Sequence, residues 1–392
     1  MHYINLYLYI LIIIKTMKKP IIAIVLLLIA FKLISQETEG MLPKWHTEKE
    51  LKNLENYVRP QPKAITSPPI SPVRNVAEWE EMEGIAISWK SGYEYFLREI
   101  IRYSSDDGKI FVYCSDSTVV KTYLDNNQIS TNNLVYIHNS LNSVWIRDFG
   151  PNNIYTNDVD SLLFVDWVYN RNRPLDDASP SLLASLLNVP LYGTTAAPTD
   201  LVHTGGNFMS DGFGTGFSSK LVLDENANVS AYNSTPKTRQ NVEKIMSDFM
   251  GINRYIIMEH LPYDGISHID MHMKLLDEET LLVGEFPVGI SDGPQIEANI
   301  QYIQNNYQSV FGTPYKIVRI PMPSSAGGGY PGQPFGNAYY RTYTNAVFVN
   351  KTLLVPIYNF DLDTTGLRIL REALPAGYNV VGINASNIIS QS

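Results

Sequence analysis

The chain of 392 residues carries 30 Lys and Arg against 39 Asp and Glu, a formal net charge of −9. That acidic balance argues against non-specific nucleic-acid binding, and 44% apolar residues with 25 tyrosines argue against wholesale disorder. The single cysteine, Cys114, excludes an intramolecular disulfide framework and a cysteine-built zinc site.

Two apolar runs open the chain, residues 4–14 and 20–31, the second directly after Met17-Lys18-Lys19. A positive start, an apolar run and a small residue near its end make a secretory signal. Residues 1–35 therefore read as a signal region ending at Ser35, with Met17 as the true start. The apolar run is too short to span about 30 Å of bilayer comfortably. Export is expected, with membrane contact only through this region while it happens. Its removal takes away Lys15, Lys18, Lys19 and Lys32 and no acid, moving the net charge from −9 to −13. Such a surface favours a cationic substrate or partner. Residues 36–72 read as a linker or arm, with five prolines within 58–72, and the folded body is expected over 73–392.

In the body, strand and helix patterns alternate. Residues 84–89, 109–114 and 134–139 read as strands, separated by helices over 94–104 and 117–126. The segment 144–155 follows. Further on come a helix over 238–251, a strand over 254–259, strands over 268–276 and 280–286, a helix over 294–308 and a strand over 315–321. A Gly-rich loop precedes strands over 341–350 and 352–358, a helix over 364–374 and a strand over 378–383. This is an α/β chain of repeated strand–helix–strand modules. A parallel doubly wound sheet is the plainer architecture, but no Gly-rich phosphate loop opens a helix.

Five polar clusters interrupt the pattern. Trp145-Ile146-Arg147-Asp148-Phe149-Gly150-Pro151 puts an Arg-Asp pair beside a turn, where Asp also serves by bonding local backbone. In an extended segment His268, Asp270 and His272 share one face, an arrangement that fits a metal site or an acid–base pair with a bystander imidazole. Asn345 opens a strand, a common turn position. Arg171 and Arg173 are two apart, suited to gripping one carboxylate or phosphate, or to pairing internally with Asp176 or Asp177. Gly205 and Gly206, before Asn207 and Asp211, suggest a close backbone approach or a tight turn.

Taken in order, residues 77–84, 145–151, 203–215, 268–274 and 343–350 resemble the bacterial peptidylarginine deiminase and agmatine deiminase family of the guanidine-modifying superfamily. The resemblance implies a five-bladed α/β propeller and hydrolytic deimination through a covalent cysteine intermediate, with no metal or cofactor. It implies that Asp148 and Asp270 hold the substrate guanidinium, that His268 is the general acid and base, and that Asn345 lies near the reaction centre. It further implies that Trp145 and Asp211 belong to the substrate pocket and that Arg171 and Arg173 bind the carboxylate of a C-terminal peptidyl-arginine. Export suits that Porphyromonas-type branch, secreted or periplasmic in a bacterium. The expected partner is thus an arginine-containing peptide, with agmatine as the alternative small guanidine and no nucleic acid. The family nucleophile is a Cys in a late G-x-H-C motif, and the chain reaches Ser392 where that motif is due. The expectation is therefore a truncated last blade, with the nucleophile just beyond Ser392 and this chain inactive alone. Cys114 ends a strand beside Asp116, which disfavours the thiolate. Two other classes stay open: a metallohydrolase built on His268, Asp270 and His272, and a guanidinium-binding protein without catalysis.

Overall fold

The computed structural model describes residues 41–61, 63–332, 339–358 and 360–391. The expected signal region, with Met17 and Ser35, lies outside the described residues. Among the described residues no helix is long and apolar enough to cross a membrane. Residues Leu42–Ser392 form one compact unit, so packing begins well before the expected boundary at Val73.

The body is mixed α/β, and its described residues form five small sheets. Strands Gly84–Ser88, Lys109–Cys114 and Leu134–His138 are all parallel. In the other sheets a middle strand pairs antiparallel on one side and parallel on the other. These middle strands are Leu162–Trp167, Thr215–Ser219, Thr280–Glu285 and Thr352–Ile357. Parallel pairing requires a crossover, and a helix precedes each parallel partner: Ser179–Leu187, Arg239–Met250, Gly293–Asn306 and Asp361–Ala373.

Arg239–Met250 shows why these helices form where they do. Thr238 and Asn241 make a reciprocal capping box at its start. Val242, Ile245, Met246 and Phe249 then recur on one face and are buried against Leu163, Val165, Tyr255 and Ile257. Each such side chain contributes about 1.5–3 kcal/mol on burial. Gly251 ends the helix at φ 69°, where a Cβ would lie 2.1 Å from the Val73 carbonyl oxygen.

The buried ion pair Lys237–Asp200 ties the approach to this helix to the loop before the strand–turn segment 201–210. Nζ lies 2.9 Å from Oδ1, and both side chains are 2% exposed. Ser234 donates to the other carboxylate oxygen, so the charge is well solvated by protein. Removing one partner strands the other. Lys237→Met is expected to cost about 3–5 kcal/mol, read from the urea midpoint. These bonds outweigh burial and hold Asp200 at about 2. Its contribution is complete above its ordinary range and is lost as pH falls toward 2.

Two expectations change. Residues 268–276 are not one strand: Ile269–Met271 is a 3-10 turn, and only Met273–Leu275 is extended. Ser267 at φ 56° and the bond from the His272 amide to the Ile269 carbonyl bend the chain there. Similarly, within 341–350 only Val347–Val349 is strand.

Candidate functional site

Asp148 sits on a single helical turn, Ile146–Phe149, and is 8% exposed. A second turn, Gly205–Asn207, packs against it backbone to backbone. A Cβ on Gly205 would lie 1.9 Å from the Arg147 carbonyl oxygen, so only glycine allows the approach. That approach lets the Gly206 amide donate to Asp148 Oδ1 at 3.2 Å.

The third turn, 268–271, brings His268 and Asp270. His268 Nε2 is 2.9 Å from Thr204 Oγ1, and Nδ1 is 3.6 Å from Asp148 Oδ1. A Cβ on Gly206 would lie 2.5 Å from His268 Nδ1, 2.8 Å from Asp148 Oδ1 and 2.9 Å from Asp270 Oδ2. Three reactive side chains therefore meet over one α-carbon. Asp270 Oδ1 is buried, with no hydrogen-bond partner among the described residues. Thr344 Oγ1 donates to the Asp270 carbonyl oxygen at 3.0 Å, and Asn345 Nδ2 is 3.8 Å from Met271 Sδ. The stretch 342–345 is thus joined to the same site.

Burial sets the protonation of the site. Burial pushes Asp270 up to about 8, and the charges of Asp148 and Asp264 add to it against Arg147 and Lys44. Burial also raises Asp148, opposed by Arg171, the Gly206 amide and Lys44. Burial drives His268 well below its ordinary range, helped by Arg171 and Lys44, so its imidazole is neutral. Behind the site, Glu78 accepts from Lys274 at 2.7 Å and lies 3.2 Å from Arg147. Burial alone would raise Glu78, but these two cations outweigh it and hold its carboxyl at about 2. A cavity of about 650 Å³ is lined there by Glu78, Trp145, Arg147, Gly205, Lys274 and Asn345.

The family model for Porphyromonas-type peptidyl-arginine deiminase matches residues 74–392. The chain belongs to that family. It is 21% identical to a candidate agmatine deiminase of Vibrio parahaemolyticus over 277 residues, 63% of this chain and 72% of that protein. Among solved structures, the agmatine deiminase of C. jejuni is similar at 21% identity, with 82% of this chain and 92% of that one covered and a TM-score of 0.64. The agmatine deiminase of Enterococcus faecalis is similar at 18% identity, with 83% and 96% covered and a TM-score of 0.67.

Within this deiminase-family fold, Asp148, His268 and Asp270 come together around Gly206, and Asn345 lies against Met271, one residue from Asp270. Other expected site residues lie differently. The 3-10 turn removes the extended face that His272 was to share. His272 is buried with both ring nitrogens unpartnered, and among the described residues no three His, Cys, Asp or Glu gather as a metal would need. Asp211 is fully buried, and its Oδ1 accepts from the Phe213 and Thr215 amides. Its hydrogen bonds serve that turn rather than the guanidinium site.

Arg171 and Arg173 are both buried, and among the described residues their hydrogen bonds go elsewhere than to Asp176 or Asp177, although the Asp176 charge still reaches Arg173. Arg173 Nε donates to the Glu50 carboxylate at 2.7 Å, and its Nη2 donates to the Pro43 and Trp45 carbonyl oxygens at 2.7 and 3.0 Å. Arg171 Nε donates to the Lys44 carbonyl oxygen at 3.0 Å. Trp145 Nε1 donates to the Leu42 carbonyl oxygen at 2.8 Å. Cys114 is buried at a strand end, its thiol pushed up by burial and by Asp116.

The sequence reading missed Lys44, Thr204 and Glu78. Thr204 abuts the paired glycines, whose close-approach signal was visible. Lys44 lies in a stretch read only as an arm, and nothing local marks it.

Proposed function

We propose that this protein is a guanidine deiminase that converts peptidyl-arginine, with the arginine at the C-terminus, to peptidyl-citrulline and ammonia. The observation that carries the reading is the convergence of Asp148, His268 and Asp270 over Gly206, with one Asp270 oxygen buried and unpartnered among the described residues. A guanidinium is planar and resonance-stabilised, hence a poor electrophile. Two carboxylates can take its N–H edges through charge-assisted hydrogen bonds and fix its plane. Neutral His268 can take the proton of an attacking thiol and, as the C–S bond forms and the C–N bond breaks, pass it to departing ammonia; it then takes a proton from the entering water, whose attack breaks the C–S bond and returns the thiol.

Cys114 is unsuited to that attack, because burial and Asp116 disfavour its thiolate. The five sheets support a five-bladed propeller. The signal pattern of residues 1–35 supports export.

Agmatine deimination is the second reading, favoured by the names of the relatives above. Calorimetry on the 392-residue chain tests both. A peptide ending in arginine and agmatine are each expected to bind saturably. Arg171→Ala should weaken the peptide relative to agmatine, because agmatine has no carboxylate. An unchanged ratio would favour agmatine. Absence of heat from either ligand, in protein with a folded circular dichroism spectrum, would overturn the guanidine reading.

A further inference from the structure

We propose that residues 42–50 lie in the substrate track, with Lys44 standing where a substrate guanidinium goes, so that a substrate must displace this segment to enter. The inference rests on the guanidine-deiminase reading and names how its site is occupied and what shape of ligand it takes.

The first support is position. Lys44 is 9% exposed; burial pulls its ammonium below its ordinary range, and the charges of Asp264, Asp270 and Asp148, the carboxylates around the site, oppose this. Its near contact is Met271 Sδ at 3.7 Å, one residue from Asp270. Lysine and arginine carry a positive head on stems of similar reach. Lysine has no guanidinium carbon, so it fills the site without offering an electrophile. It also helps keep His268 neutral, together with burial and Arg171.

The second support is the main chain. Four successive carbonyl oxygens, of Leu42, Pro43, Lys44 and Trp45, accept from Trp145, Arg173, Arg171 and Arg173 in turn. These bonds read backbone and ask nothing of the side chains they pass. On the guanidine-deiminase reading, Trp145, Arg171 and Arg173 are substrate-binding residues. The Glu50 carboxylate on Arg173 then stands where the carboxylate of a peptide would pair.

The third support is that the segment is separable. Among the described residues, 42–47 lie outside the strands and helices and outside the apolar clusters around Phe217, Val242, Phe348 and Phe111, and residues 48–50 open the short helix Glu48–Lys52, which buries no side chain. Apart from the His46–Tyr232 contact at 2.8 Å, its ties run largely to the site residues themselves. Its release therefore leaves the body's core intact. The ligand class follows: an extended polypeptide with a cationic side chain at the Lys44 position and an acid or free carboxylate for Arg173.

Agmatine affinity of the whole chain, measured by calorimetry with Lys44→Ala and Glu50→Gln, tests this. A competitor that fills the site nine-tenths of the time weakens binding about tenfold. Both variants should therefore bind agmatine about tenfold tighter than the parent protein. In the parent, saturating agmatine should speed amide exchange over 42–50. Glu50→Gln keeps the test alive if Lys44→Ala folds poorly. Equal affinity in all three forms, with exchange over 42–50 unmoved by agmatine, overturns the inference and leaves the guanidine reading standing. Failure of all three to bind agmatine overturns that reading and the inference together.

Discussion

Gly206→Ala should leave the sheets folded and weaken agmatine binding by about 100-fold or more. The added methyl would lie within 2.9 Å of His268 Nδ1, Asp148 Oδ1 and Asp270 Oδ2 together. Gly206 is not among the residues with positive φ, so alanine suits its backbone and the effect is steric. The atoms met are side-chain tips. They can part, and the cost to folding stays in the range of ordinary overpacking, about 1–3 kcal/mol. Parting them dismantles the guanidinium site, because each charge-assisted hydrogen bond lost is worth about 1.5–3 kcal/mol. Gly205→Ala is the contrast. Its methyl would meet the Arg147 carbonyl at 1.9 Å, and backbone cannot step aside as a side chain does. That variant should lose stability first. Calorimetry beside thermal unfolding separates the two. A Gly206→Ala protein that binds agmatine like the parent would show that the three groups do not act as one site.

The regular elements were legible where periodicity was strong. Glu94–Ser104 and Ser117–Asn126 lie where the helical pattern put them, as do the strands around them. The stretch 156–237 yielded no elements from the sequence, although it holds Leu162–Trp167 and Leu191–Thr194. The first of these is buried along nearly its whole length and so shows no alternation to read. The HIDMH segment misled for the opposite reason. Its alternation of polar and apolar residues suits a strand, yet the left-handed Ser267 and the following turn set its path. His268 and Asp270 reach the same site by that turn, while His272 is left apart. The least legible part was the role of residues 42–50. Their meaning lies in long-range pairing with Trp145, Arg171 and Arg173, which no local pattern encodes.

Agmatine binding should strengthen as pH rises, by about tenfold per unit until about pH 8, and then level off. The sign follows from the free site. Burial, with Asp148 and Asp264 nearby, holds Asp270 up to about 8 against the pull of Arg147 and Lys44, so at pH 6 its carboxyl is protonated. A guanidinium needs the anion, and the proton must leave before the ligand is held. The ligand keeps its own charge throughout this range. His268 contributes no opposing step, since its imidazole is already neutral. Asp148, also raised by burial, adds in the same direction. Between pH 6 and pH 9 the affinity should change by about 100-fold, as one such group requires. Near pH 7 binding should release close to one proton, which appears as a dependence of the measured heat on buffer ionisation enthalpy. Asp270→Asn should bind weakly and lose this pH dependence above pH 6. A flat profile in the parent protein, with no proton release, would mean that Asp270 is ionised in the free site and that the guanidinium is held by other groups.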